Sequence, residues 1–261
     1  MYLETYVDRL TPNKIPENLK DTEELKNELF SLRIKGASEV KSDDWTLDQL
    51  EQVLKTLKNN AARDAHGHVY ELFKFGGINL KLFNLTRQKQ EYSEILQFES
   101  ITSIYKSKGR KDDLNSDRGT FNVVKIRSIL DKLIYDKYHV IDQQMSFSNI
   151  GGRKNRNICD HLFVINGIIN DAVQNNESID IQIMDVSKCF DKMNYKETAN
   201  DLYDAGVTDD QFATVASSKE KCQVDIKLPV GSLTERIEIN EINARYGPCP
   251  SKVFCVDRHS G

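Results

Sequence analysis

Apolar residues recur at helical spacing in several stretches of this chain and alternate in a few shorter ones. Leu47, Leu50, Val53, Leu54 and Leu57 form one stripe of a helix running to Lys58, and Thr46 followed three residues on by Gln49 is a capping-box start. The turn-rich NNAARDAHGH, 59–68, breaks that pattern. A second helix is predicted over Val69–Phe75, ended by Gly76 and Gly77, and a third over about Asn79–Gln88. Phe98–Tyr105 reads as a strand. Apolar residues resume at Phe121 after SKGRKDDLNSD, so the pair predicts a hairpin with a basic tip. Helical spacing returns in Val123, Ile126, Ile129, Leu130, Leu133 and Ile134. Beyond Gly151 and Gly152 it appears again in Ile158, Leu162, Ile165, Ile169 and Val173. Ile179, Ile181 and Ile183 then alternate with Asp180, Gln182 and Met184, a short strand delivering Asp185 at its end. A helix from Tyr195 to Ala205 stops at Gly206. Val224, Ile226 and Leu228 face Ile237 and Ile239 across a turn holding Pro229 and Gly231, a second hairpin. Residues 1–40 are polar, carry Pro12 and Pro16, and predict a loosely attached lead-in, helical or partly disordered. Helices and short strands that do not strictly alternate predict an α+β fold.

Composition changes this picture little. The 261 residues are 39% hydrophobic and 29% charged, ordinary for a soluble chain long enough for a sizeable core. No apolar run approaches the length that spans a bilayer, and MYLETYVDRL carries charges where a signal peptide has its apolar core. The expectation is therefore a cytoplasmic or nuclear protein, not secreted, with no membrane partner. Five cysteines, Cys159, Cys189, Cys222, Cys249 and Cys255, are odd in number and scattered in mostly apolar company, which suits reduced core thiols. Cys249, Cys255 and His259 match no common zinc spacing and lack a fourth ligand.

Charge distribution says more than its total. A net charge of −4 argues against binding nucleic acid through bulk electrostatics. Yet between Ile101 and Tyr138 nine cations, among them Lys106, Lys108, Arg110, Lys111 and Arg118, face five aspartates and leave +4, and Arg153, Lys154 and Arg156 form a second cluster. Such a surface suits phosphate contacts, although a solvated helix face is the commoner origin of charge runs. Asp185 is the first candidate metal ligand, because a strand end holds a carboxylate rigidly; taken alone it reads more simply as a turn or helix-cap residue.

Several segments taken in order resemble the reverse transcriptase of non-LTR, LINE-like retrotransposons. They are DDWTLDQLEQVLKTLKNN, ELFK, ITSIYKSKGRKDDLNSDRGTF, GGRKNRNICDHLFVINGIIND, IQIMDVSKCFDKMNYKETANDLYDAGV and RYGPCPSKVFCVD, which together cover about residues 43–257. The resemblance implies fingers and a partial palm of a right-hand polymerase, with a lead-in over 1–40, a fingers-like region over 41–157 and the partial palm over 158–261. It implies templated deoxynucleotidyl transfer with Mg²⁺ as cofactor, an RNA template, a DNA primer and a deoxynucleotide as partners, and no small-molecule cofactor beyond the nucleotide. Arg118, in LNSDRGT, matches the arginine that grips the incoming triphosphate, and Lys106, in IYKSKG, the lysine on the preceding strand. Asp185 matches the first catalytic aspartate, holding Mg²⁺ with the Val186 carbonyl. Phe190 matches the aromatic that excludes a ribose 2′-hydroxyl, and Asp191 its structural neighbour. Arg110, Lys111, Arg153, Lys154 and Arg156 are the expected nucleic-acid contacts.

The sequence also departs from that family. Two-metal phosphoryl transfer needs at least two carboxylates, and the family's second site is an aromatic-x-Asp-Asp hairpin beyond the last matching segment. Here the Asp-Asp pairs are Asp43–Asp44, Asp112–Asp113 and Asp209–Asp210, none preceded by the aromatic or placed after that segment. Tyr246 and Gly247 stand where the family has Gln-Gly at its nucleotide site, and Cys189 where alanine is usual. The chain is expected to be inactive alone, as a residual nucleic-acid-binding module or a non-functional remnant, with apolar surface left uncovered where the central palm hairpin is missing.

Overall fold

In the computed structural model the described residues are 20–110, 116–136, 148, 150, 155–184, 195–218, 222–227 and 233–239. They fold as α+β. The elements are α1 (Lys20–Glu39), α2 (Leu47–Thr56), α3 (Tyr70–Phe75), α4 (Leu80–Lys89), a single 3₁₀ turn (Glu94–Leu96), β1 (Phe98–Tyr105), β2 (Asp117–Val123), α5 (Lys125–Asp136), α6 (Ile158–Asn175), α7 (Tyr195–Asp204), α8 (Asp210–Ser217), β3 (Cys222–Lys227) and β4 (Leu233–Ile239). Among these residues no helix is long and apolar enough to cross a membrane.

Local chemistry accounts for most of the boundaries. The Thr46 side chain accepts from the Gln49 backbone N–H while the Gln49 side chain takes the Thr46 N–H at 2.8 Å, so the predicted capping box starts α2. Leu50 and Val53 on that helix are buried, as is Leu57 just beyond it. Asn79 caps α4 through its side chain, and Gly76 ends α3. In α5 the expected stripe of Ile129, Leu130, Leu133 and Ile134 is fully buried.

The four strands form one mixed sheet in the order β2-β1-β3-β4. The hairpins β1–β2 and β3–β4 are antiparallel, as the sequence predicts, and β1 and β3 join them in parallel, pairing Ile101 with Ile226. A parallel pair needs a crossover, and the run from α5 to α8 supplies it. Sheet and core thus span residue 157, where the fingers-like and palm-like regions were expected to meet.

Helix α1 takes the helical alternative expected for the lead-in, but it is packed against the core and not loosely attached. Phe30 and Ala37 are buried, Phe30 lies edge-on to Phe212 of α8 with ring centres 6.4 Å apart, and Tyr203 of α7 meets the same ring at 5.1 Å. Polar contacts fix the same packing: Arg33 pairs with Asp204 at 2.6 Å and Lys26 with Glu197 at 2.5 Å. Phe30, Ile34 and Ala37 do keep helical spacing. Exposed Leu25, Leu29 and Leu32 on other faces blur it.

A buried charge cluster closes the core. Arg87 of α4, 1% exposed, donates to Asp210 of α8 at 2.9 and 3.1 Å, to the Ser42 carbonyl at 2.5 Å and to Asp44, and it stacks on Trp45 at 5.4 Å. One guanidinium fork thereby ties α4, α8 and the 40–46 segment together.

Two sequence expectations fail after residue 157. Residues 177–184 form no strand and pair with nothing in the sheet; Ile183 and Met184 are more than four-fifths exposed. Alternation alone cannot make a strand, because a strand exists only through a ladder with a neighbour, and no described strand pairs with these residues. Helix α6 does form, capped by Asn157 and Asp160, yet of its side chains only Ala172 is buried. Cys159, expected among core thiols, is exposed on it.

Candidate functional site

The β1–β2 ribbon brings together the phosphate-binding candidates that can be described. Its register pairs Ile104 with Arg118 and Tyr105 with Asp117, and one residue further the Lys106 N–H donates to the Ser116 carbonyl at 2.9 Å. Position 106, just past the end of β1, is therefore two residues along from the strand partner of position 118. Lys106, Lys108 and Arg110 are exposed around the tip.

The turn is held shut by its own chemistry. The Tyr105 hydroxyl donates to the Gly109 carbonyl at 2.7 Å, and Ser103 donates from its hydroxyl to the Asp117 carboxylate across the ribbon. Gly109 has φ +87°, and a Cβ there would lie 2.3 Å from the Ser116 hydroxyl oxygen. Only glycine fits both constraints.

The base of the ribbon is anchored by a residue that the sequence pattern does not single out. Asp64 is 4% exposed, and its carboxylate accepts from the His66 and His68 N–H groups at 3.0 and 2.8 Å and from the Lys125 N–H at 2.8 Å. The loop 59–68 is thus folded around one carboxylate, which also satisfies an open donor at the start of α5. The ring of His66 packs on Phe98 at 5.2 Å, fixing the loop to the first residue of β1. Lys125, buried against the Tyr70 ring at 4.7 Å, is held below the ordinary lysine range by desolvation, which Asp64 opposes. Beside it Glu99 of β1 and Arg127 of α5 pair at 3.1 Å, both almost wholly buried. The only sequence hint of Asp64 is its place in a turn-rich segment, since its partners are backbone groups that no pattern of side chains reveals.

The Asp-Asp pairs within the described residues serve the fold. Asp209 caps α8 through the Gln211 N–H at 3.1 Å, and Asp210 is spent on Arg87 and Ser42. Asp44 takes Arg87 and Gln88. Arg156, a predicted nucleic-acid contact, stands just before α6 with Asp160 3.9 Å away. Asp185, Val186, Phe190, Asp191, Lys111, Asp112, Asp113, Arg153, Lys154, Tyr246 and Gly247 lie outside the described residues, as does the side chain of Arg118. No protein-family model and no curated protein matches this sequence.

Proposed function

We propose that this chain is the fingers and part of the palm of a non-LTR retrotransposon reverse transcriptase, whose chemistry is templated deoxynucleotidyl transfer on an RNA template and a DNA primer. The observation that carries the reading is the ribbon. Its register brings position 106, just past β1, two residues from the strand partner of Arg118, a backbone proximity that suits the shared triphosphate contact which the ordered segment resemblance assigns to these two residues. Mg²⁺ would be held by Asp185 and the Val186 carbonyl. With no aromatic-x-Asp-Asp segment in its 261 residues, the chain by itself binds nucleotide and primer-template without extending it.

Calorimetric titration with Mg-dTTP tests this. Arg118→Ala and Lys106→Ala should each weaken binding on the order of tenfold, the scale of one charge-assisted contact. Equal affinity in wild type and both variants would overturn the assignment. A primer-extension assay checks the second part: templated extension that disappears in Asp185→Ala would show the chain to be an active polymerase.

A second reading, a residual RNA or DNA binding module, is favoured by the exposure of Lys106, Lys108 and Arg110 on one turn. It predicts salt-dependent binding whose log–log slope falls by about one for each cation neutralised.

A further inference from the structure

The β1–β2 ribbon carries a buried carboxylate that the proposed nucleotide contact does not use. Asp117, the first residue of β2, is 8% exposed, and its side chain accepts from the Ser103 hydroxyl on β1. The two are not opposite each other in the ladder. Asp117 is paired with Tyr105 and Ser103 with Gly119, so the bond runs diagonally across the ribbon. A buried acid next to a residue that would grip a triphosphate is unfavourable twice over, through its own desolvation and through its repulsion of the ligand.

We propose that Asp117 is a positioning residue for that contact: through Ser103 it fixes the register that sets position 118 against Ile104 and two residues from the level of position 106. A diagonal bond is specific to one register. A slip of one residue exchanges the two sides of a strand, a slip of two moves position 118 about 7 Å along β1, and either carries Ser103 out of hydrogen-bond reach of Asp117. Other restraints on register are weak in this half of the ribbon. From Thr102 onward β1 leaves the core, with Thr102 and Ile104 exposed and Ser103 and Tyr105 half-buried, so no apolar face pins the pairing. Among the described strands β2 is an edge with one neighbour, and a connection as long as 107–115 imposes register less strictly than a two-residue turn. The role rests on the nucleotide reading given above, since it acts through Arg118.

Calorimetric titration of the full chain with Mg-dTTP tests it, because charge and position predict opposite signs. Removing an acid beside a polyanion strengthens binding by Coulomb attraction alone, whereas removing the acid that positions the site weakens it. The expected result is that Asp117→Ala and Ser103→Ala each weaken binding on the order of tenfold and that the double variant is no weaker than either single one. Asp117→Asn, whose amide oxygen still accepts from Ser103, should bind at least as tightly as the wild type. Far-ultraviolet circular dichroism checks that each variant is folded; should Asp117→Ala not fold, Ser103→Ala against Asp117→Asn decides. Wild-type affinity in Ser103→Ala or Asp117→Ala, or an Asp117→Asn as weak as Asp117→Ala, would overturn the positioning role even where Arg118→Ala and Lys106→Ala weaken binding. Indifference to those last two would instead overturn the nucleotide reading, and this inference with it.

Discussion

Helices α5 and α6 make an instructive pair. Both carry isoleucines and leucines at helical spacing, and α6 is the more apolar of the two. In α5, Ile129, Leu130, Leu133 and Ile134 are sealed between α2 and the rest of the core. In α6 the same residue types stand in water. Periodicity specifies that a helix has an apolar face; it carries no information on what covers that face. Burial, and with it nearly all the stabilisation, comes from the partner.

The sharpest way to break this comparison is at the charge cluster that only the core half possesses. Arg87→Ala leaves Asp210 buried without its cationic partner, with only Ser42 to donate to it, and should cost about 3–5 kcal/mol in urea unfolding. A loss below about 1 kcal/mol would mean that water reaches the cluster. Next comes a matched pair of truncations. Leu133→Ala, in a site 2% exposed, should cost about 2–5 kcal/mol, and Leu162→Ala no more than about 0.5 kcal/mol at dilutions where the chain is monomeric. Equal losses would show that α6 is covered within one copy.

Smaller effects probe the ribbon and its base. Gly109→Ala meets both a positive φ and the Ser116 hydroxyl, and should destabilise the turn by about 1–2 kcal/mol in urea unfolding. The smallest concerns Lys125. Its burial lowers the folded-state value below the ordinary 10.5, so the unfolded chain holds that proton more tightly. The resulting penalty is present at neutral pH and is relieved as pH rises through the folded value toward 10.5. Lys125→Met removes the penalty, so the variant's urea midpoint should climb less steeply over that alkaline range than the wild type's. A steeper climb would reverse the assigned sign.

How much could be read in advance differs between fold and site. The start of α2 at Thr46, the strand 98–105 and the stop at Gly206 were legible because caps, alternation and helix-ending glycine act over a few residues. The proximity of Lys106 to Arg118 was half legible: the loop predicted a hairpin, but the register that pairs Ile104 with Arg118 depends on how the Gly109 turn closes. Asp64 was invisible, since its work is done on backbone N–H groups of two different segments. Residues 179–184 were misread for the opposite reason. Their alternation fits a strand, yet strand formation is a contract with a neighbour, and none is paired there among the described residues.

The amino-acid sequence by itself therefore determined most of the local elements, though not the Asp210–Ser217 helix or the 179–184 segment, together with the two antiparallel hairpins and the cationic character of the β1–β2 connection, because these rest on contacts within a few residues. Tertiary structure alone decided that α1 joins the core through Phe30, that β1 and β3 lie side by side, that Asp210 meets Arg87, and that α6 does not share the burial of α5. Each of those outcomes depends on which distant surface arrives opposite a given face. Short-range pattern prepares the face, and long-range packing supplies or withholds its partner.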